Sequence, residues 1–382
     1  MHLYFNSRHI NSRHINSRHR LTAFILLLSL FLQSCDHRSN SSNIMEKEKD
    51  KEKEEDVSVR RSLQHAKLDF ISKEDFDHLE NQIRVCYKVD GFVSFEKLFN
   101  GIVNNVFLVK NGDDIISVIK YYPTASVAWA ENNRVLTEEV RAQGFPIPKV
   151  DFVFPTSNGH PIVCMQYCKG THQDLDNKKI AEVASWMAKL HLATLPNRIR
   201  TDVISMEDFN NLFEQTKDWE FTPVLRKILG SIDLDYLTKI PKGLIHADFS
   251  ISNVIFDEEG HVAGIIDWDY LSNSYLLTDI VYAQVFYGFD ADANLQEDKI
   301  IQFLHDYNLT RQLQPIELDN FYSHLKVLLI YAALNIYLMY EANYIDGERF
   351  NYSKSNNDVN PNILVKKLLN IQDKSSINIS LN

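Results

Sequence analysis

Between Gly243 and Asp257 the chain reads Gly-Leu-Ile-His-Ala-Asp-Phe-Ser-Ile-Ser-Asn-Val-Ile-Phe-Asp, and Gly264-Ile-Ile-Asp-Trp-Asp269 follows. An apolar strand leads to His246 and Asp248, a polar turn ends at Asn253, and a second apolar strand comes next. A turn at Gly260 and a third strand then end on Asp267. Such a hairpin brings Asp248, Asn253 and Asp267 to one end. Magnesium takes one or two carboxylates together with substrate phosphates and water, so Asn253 and Asp267 suit it as ligands. Asp248 is left to accept a hydroxyl proton. Phosphoryl transfer needs little beyond such positioning and charge neutralisation. Turns favour Asp and Asn for backbone reasons alone. That explanation serves for any one of these residues, but not for His-x-Asp, Asn five residues after the Asp, and an apolar strand into Asp-Trp-Asp.

The elements that would carry a nucleotide lie upstream. Residues 103–109 and 115–121 read as strands joined by an Asn111-Gly112-Asp113-Asp114 turn. Gly101, just before them, lets backbone approach a phosphate. Lys120 stands inside the second strand, where a lysine needs a partner. It suits a contact with the α and β phosphates of ATP, held by a helix carboxylate; the structural alternative is an edge-strand lysine reaching water. A helix over 126–143 ends at Gly144 and offers Glu131, Glu138 and Glu139. Glu131 is chosen for its place in the first half of that helix. Strands over 150–155 and 162–168 follow, and Lys169-Gly170 marks an exit from the sheet that suits a hinge beside adenine.

Beyond Thr171 the pattern turns helical. Ile180, Val183, Ala184, Met187 and Leu190 recur at helical spacing, with His191 as a packing or capping residue. Further helices are expected over 208–229, 276–288, 298–307 and 316–344, and the tyrosines of the last belong to the core. Asp290, Asp292, Glu297 and Asp298 would suit an amine-bearing substrate, although a solvated helix start explains them as well.

The chain has 382 residues, 45% hydrophobic, enough for a large core in two domains. A net charge of −11 argues against nucleic acid as a partner and leaves room for a cationic small molecule. Four cysteines make no disulfide framework; Cys86, Cys164 and Cys168 read as reduced core residues. Residues 6–19 repeat Asn-Ser-Arg-His-Ile, and an apolar run over 21–32 precedes Cys35. That pattern is like a lipoprotein signal and is too short for an ordinary membrane span. An internal start at Met45 or an inert leader is the favoured reading, with a cytoplasmic protein as its consequence. Anchoring through Cys35 is the alternative. The domain plan is a leader over 1–44, a charged linker over 45–65, a first lobe over 66–168 and a second over 169–382.

These motifs resemble the aminoglycoside phosphotransferase and choline kinase superfamily, a branch of the protein-kinase-like fold. His246, Asp248 and Asn253 are similar to its catalytic loop, and Ile266-Asp267-Trp268-Asp269 to its metal-binding motif. Gly101, Asn104, Val106 and Phe107 are similar to its nucleotide loop, Met165-Gln166-Tyr167 to its hinge, and Asp279 to the structural Asp after the metal motif. Gln166 departs from the acidic residue often found there, and the helix glutamate is out of step by a residue or two. The resemblance implies an α+β bilobal fold, with a small antiparallel-sheet lobe and a larger, mainly helical lobe. It implies transfer of the γ-phosphate of ATP or GTP, with Mg2+, to a hydroxyl of an aminoglycoside- or choline-like molecule. A homoserine kinase-like enzyme and a non-catalytic, nucleotide-binding scaffold tethered to a membrane are the alternatives. Asp248 would be the base and His246 the support of the catalytic loop. Asn253 and Asp267 would hold metal, Asp269 would touch metal or substrate, and Asn104, Lys120, Met165 and Tyr167 would meet the nucleotide.

Overall fold

The computed structural model describes residues 68, 70–98, 104–174, 176–341 and 360–377. Gly101, Cys35, Met45 and the leader and linker segments lie outside the described residues. The first lobe opens with α1 (Lys73–Tyr87), capped by Ser72 Oγ accepting from the Asp75 amide. Its apolar positions, Phe76, Leu79 and Ile83, pack on the sheet side chains Phe95, Phe107, Val109, Ile119 and Ile162. The sheet comprises β1 (Ser94–Leu98), β2 (Asn105–Asn111), β3 (Asp114–Tyr121), β4 (Val150–Pro155) and β5 (Pro161–Gln166). Its order is β1-β2-β3-β5-β4, antiparallel throughout. The second helix, α2 (Val127–Arg141), joins β3 to β4.

Gly170 marks the exit from this lobe. Its φ of 147° and its approach to Phe256 leave no room for a side chain, since a Cβ there would sit 2.4 Å from the Phe256 carbonyl oxygen. The next residue, Thr171, exchanges two backbone hydrogen bonds of 2.9 Å with Phe256, so the chain enters the second lobe stitched to its catalytic hairpin.

In the second lobe, α3 (Asn177–Leu192) buries the five apolar positions expected of it. The expected single helix over 208–229 is two, α4 (Met206–Gln215) and α5 (Thr222–Gly230). Pro223 lacks an amide hydrogen, and Thr222 Oγ1 bonds the Thr216 carbonyl at 2.6 Å, which fixes the turn between them. Two short ribbons follow, β6 (Lys242–Ile245) with β9 (Ser272–Tyr275), and β7 (Val254–Phe256) with β8 (Val262–Ile265). The remaining helices are α6 (Leu276–Tyr287), α7 (Glu297–Asn308), α8 (Pro315–Asp319), α9 (Phe321–Glu341) and α10 (Pro361–Asn370). A break at Asn320 separates α8 from α9, where one helix over 316–344 was expected. Among the described residues α9 alone is long and apolar enough to cross a membrane, and it is mostly buried within the lobe as its core helix. Cys164 is buried, whereas Cys86 is exposed, contrary to its reading as a core residue.

Candidate active site

The β6 strand delivers His246 and Asp248, both fully buried, into a turn that ordinary sterics resist: Ala247 has a φ of 64°. Asp279, near the start of α6, compensates by accepting the amides of His246 and Ala247 at 2.8 Å each. Its second contact is with His191 Nε2 at 3.3 Å, while Tyr307 meets the other ring nitrogen at 2.6 Å. His191 is therefore a packing residue that secures Asp279. His246 Nε2 lies 3.0 Å from the Ile266 carbonyl, which can only accept, so Nε2 carries the proton. Burial pushes the His246 pKa down and keeps the ring neutral. The ring thus ties the loop to the backbone just before Asp267.

Asp248 receives the Tyr282 hydroxyl on Oδ1 at 3.1 Å, and its Oδ2 is buried without a partner. Burial, followed by the charge of Asp267, holds its carboxyl well above the usual range. Asn253 donates Nδ2–H to the Asp248 carbonyl at 2.9 Å, which leaves Oδ1 buried and without a partner. Such stranded acceptors are rare in a folded interior and need an explanation.

Lys120 lies in β3 between β2 and β5, opposite Val106 and Val163, so it is not an edge lysine. Its ammonium donates to Asp267 Oδ1 at 2.8 Å and to Asp269 Oδ2 at 2.7 Å, which joins the two lobes. Burial alone would lower the Lys120 pKa, but the Asp267 and Asp269 charges outweigh it and hold the value well above normal. Tyr122 donates to the remaining Asp269 oxygen at 2.7 Å. Both Asp269 oxygens are thereby engaged, one by Lys120 and one by Tyr122. Asp267 also has a left-handed backbone, φ 64°, and its side chain is more open than that of Asp269, 15% against 7% exposed. Burial works to raise both carboxyls. Lys120 more than compensates at Asp267, which ends below the usual range, whereas Asp269 is left at about 6.

The expected Lys120–Glu131 pair does not form. Glu131 sits on an outward part of α2 and accepts from Arg134 Nε at 2.8 Å, one helical turn away, while the carboxylates of Asp267 and Asp269 occupy the lysine. Asn104 is buried beside the start of β2, and Met165 is half-buried just after the buried part of β5, which ends at Cys164, with Tyr167 just past the strand. The acidic residues near Asp290 do not converge on the site; Asp290 accepts amides of its own loop from Asp292 and Asn294. Two residues that bond the site's carboxylates are not apparent from the motifs: Tyr122 and Tyr282. Tyr282 had a signal, because it lies three residues after Asp279 and so on the same helix face. Tyr122 had one too, since it stands two residues after Lys120 and so on the same face of the extended chain.

A magnesium ion fits the residues present. Asn253 Oδ1 is an oxygen without a donor, the Asp267 carboxylate stays ionised, and the Ile266 amide donates to the Asn253 carbonyl at 2.8 Å, which sets the two residues side by side across the hairpin. Among the described residues no three His, Cys, Asp or Glu side chains are grouped to hold a metal by themselves.

A profile of the phosphotransferase enzyme family matches residues 97–316. A homoserine kinase from Bradyrhizobium sp. strain BTAi1 is 26% identical over 246 residues, covering 61% of this chain and 75% of its own. Two solved structures share the fold. One is an aminoglycoside 2'-phosphotransferase-IIIa in its GDP complex, 18% identical, with a TM-score of 0.54 over 77% of this chain and 98% of its own. The other is choline kinase from Cryptosporidium parvum, 17% identical, with a TM-score of 0.52 over 78% and 97%. With the family match running over more than half of the chain's length and the same bilobal α+β fold beneath it, this chain belongs to the phosphotransferase enzyme family and is a small-molecule kinase.

Proposed function

We propose that the enzyme moves the γ-phosphate of ATP, or of GTP, to a hydroxyl of a small alcohol, with Mg2+ as its cofactor. The observation that carries this reading is the pair of stranded acceptors on one loop, Asp248 Oδ2 and Asn253 Oδ1. Leaving a buried acceptor unsatisfied costs about 1–3 kcal/mol. A substrate hydroxyl on the first and a cation on the second remove that cost. Asp248 Oδ2 accepts the hydroxyl proton as the alcohol oxygen bonds to the γ-phosphorus and the bond from that phosphorus to the nucleoside diphosphate breaks. Tyr282 holds the other Asp248 oxygen and fixes the direction of Oδ2. Asn253 and Asp267 would hold Mg2+, which when bound neutralises phosphate charge. Lys120, steadied by Asp269 and Tyr122, would hold the nucleotide phosphates, and Asn104, Met165 and Tyr167 would meet the nucleotide; Gly101 is assigned to the phosphates on its sequence alone. Aminoglycoside- and choline-like alcohols are acceptors of this class, but the homoserine kinase among the sequence relatives favours an amino-acid alcohol.

The test is ATP-dependent transfer to an aminoglycoside, choline, ethanolamine and L-homoserine by the wild type and Asp248→Asn. The variant keeps an oxygen for the Tyr282 hydroxyl, so it folds, and its kcat falls by roughly 10²–10⁴-fold. Equal turnover in both proteins refutes Asp248 as the base.

A further inference from the structure

Arg200 stands next to the site, and a conspicuous part of it is unused. Its Nε and Nη2 are both buried without a hydrogen-bond partner. Those two nitrogens form one edge of the guanidinium, the edge that grips a carboxylate with two parallel bonds. The same protein shows that grip elsewhere: Arg141 presents Nε and Nη2 to the two oxygens of Glu138 at 2.8 and 2.6 Å. At Arg200 the same edge is formed and unengaged. Among the described residues no carboxylate makes a salt bridge with it.

The surroundings say where the missing group would come from. The Arg200 guanidinium lies 5.9 Å from the ring centre of Tyr270, the residue after Asp269. Its backbone carbonyl accepts from Asn273 at 2.9 Å, and the Asp202 amide donates to Asn273 at 3.3 Å, which lays the 200–202 segment along β9. The β9 strand in turn pairs with β6, which ends at the catalytic loop. A cavity of about 280 Å³ opens on this side, lined by Asp202, Met206, Phe209, Ala247, Ser272 and His324 among others. Ala247 immediately precedes Asp248. Asp202 lines that cavity together with Ala247 of the catalytic loop, and Arg200, two residues earlier, lies within reach of the charges of both Asp202 and Asp269; burial weakens Arg200's hold on its charge unless an anion is supplied.

We propose that Arg200 binds the carboxylate of the phosphoryl acceptor and Asp202 its ammonium, so that the acceptor is a hydroxy amino acid. This rests on the phosphotransfer reading above for the hydroxyl, but the two charged contacts are separate from the chemistry. A phosphate of the nucleotide could also satisfy the guanidinium edge, and the experiment distinguishes it. Three matched pairs serve as acceptors: L-homoserine with 3-aminopropan-1-ol, L-serine with ethanolamine, and L-threonine with 1-aminopropan-2-ol. Each second member is the first without its carboxylate. For the preferred pair, the wild type has the higher kcat/KM on the amino acid, and Arg200→Gln lowers the ratio of the two values on the order of 10- to 100-fold. Arg200→Lys, which keeps the charge but not the fork, loses less. An unchanged ratio, or a rise in the KM for ATP with the ratio unchanged, overturns the assignment; the latter marks a nucleotide contact. Calorimetric binding of the same amino acids separates the two readings. Binding that depends on Arg200 without any turnover supports the carboxylate site and counts against phosphotransfer alone. Binding equal in wild type and Arg200→Gln, or no binding of any of the three to the wild type, overturns the carboxylate site.

Discussion

Replacing Lys120 with Met strips one ammonium from two buried carboxylates, and the structure fixes both the size and the pH dependence of the result. The ammonium lies 2.8 Å from Asp267 and 2.7 Å from Asp269, with all three side chains largely out of solvent. Removing one partner from a buried ion pair costs about 3–5 kcal/mol, because the charge left behind is neither solvated nor paired. Taking about 4 kcal/mol, and an unfolding entropy of about 2.1 cal/mol/K per residue, Tm of this 382-residue chain falls by roughly 5 °C at pH 8. The sign of the pH effect follows from the two carboxyls. Asp267 has a depressed folded pKa, so its stabilisation is present above the ordinary carboxylate value and is lost only as pH falls below it. Asp269, raised to about 6, binds its proton more tightly folded than unfolded; the fold therefore loses stability as pH rises from about 4 to 6 and is indifferent above that. Without Lys120 both carboxyls rise further, so above pH 6 the variant loses more stability with rising pH than the wild type does. Differential scanning calorimetry at pH 5 and pH 8, with a chelator present, reads this directly. A Tm loss under about 2 °C at pH 8, or the same loss at both pH values, refutes the reasoning.

Three other perturbations probe other links. Gly170→Ala puts a Cβ 2.4 Å from the Phe256 carbonyl oxygen at a φ of 147°, so it should cost more than about 2 kcal/mol in urea denaturation; an unshifted midpoint would show that the lobe junction yields easily. The acid limb of kcat/KM should lie above the ordinary carboxylate range of about 4, because Asp248 must be ionised to accept a proton and burial raises its pKa. Activity rises with pH through that limb, and a limb near 4 removes Asp248 from the role. Glu131→Gln should leave the KM for ATP within about twofold and stability within about 0.5 kcal/mol, since Glu131 faces only Arg134 on the helix surface. A large rise in that KM would restore the helix glutamate to the site.

The His246–Asp269 segment was legible because it is local: a strand, a turn and a hairpin carry Asp248, Asn253 and Asp267 within one 20-residue stretch. The hairpin around Gly112 and the burial face of α3 were legible for the same reason, since periodicity is a property of neighbouring residues. Lys120 was found as an oddity inside an apolar strand, but its partner was assigned to the wrong element. Glu131 and the two aspartates are equally charged, and only the packing of one lobe on the other decides which of them reaches the ammonium. The α4–α5 and α8–α9 breaks were missed because Thr222 with Pro223, and Asn320, interrupt a helix without interrupting its apolar pattern. Arg200 was illegible altogether: nothing in Asn-Arg-Ile-Arg-Thr-Asp says that one arginine is solvated and the other lies along β9.

Asp279 explains why so many of these distant parts must be right at once. A residue such as Ala247 in the left-handed region costs about 1–3 kcal/mol and persists only where its surroundings over-determine it. The two amides that Asp279 accepts are those of His246 and Ala247, so its carboxylate stabilises the strained turn itself rather than the strands on either side. Hydrogen bonds to a charged group contribute about 1.5–3 kcal/mol each, enough together to exceed the strain. Asp279 is in turn held by His191 from α3, and one helical turn later Tyr282 from the same helix holds Asp248. The direction of Asp248 Oδ2 is therefore set by α6 through two contacts, one on the backbone before it and one on its own carboxylate. A shift of α6 moves both together, which makes the register of that helix against β6, rather than any single loop residue, the quantity that aims the proposed base.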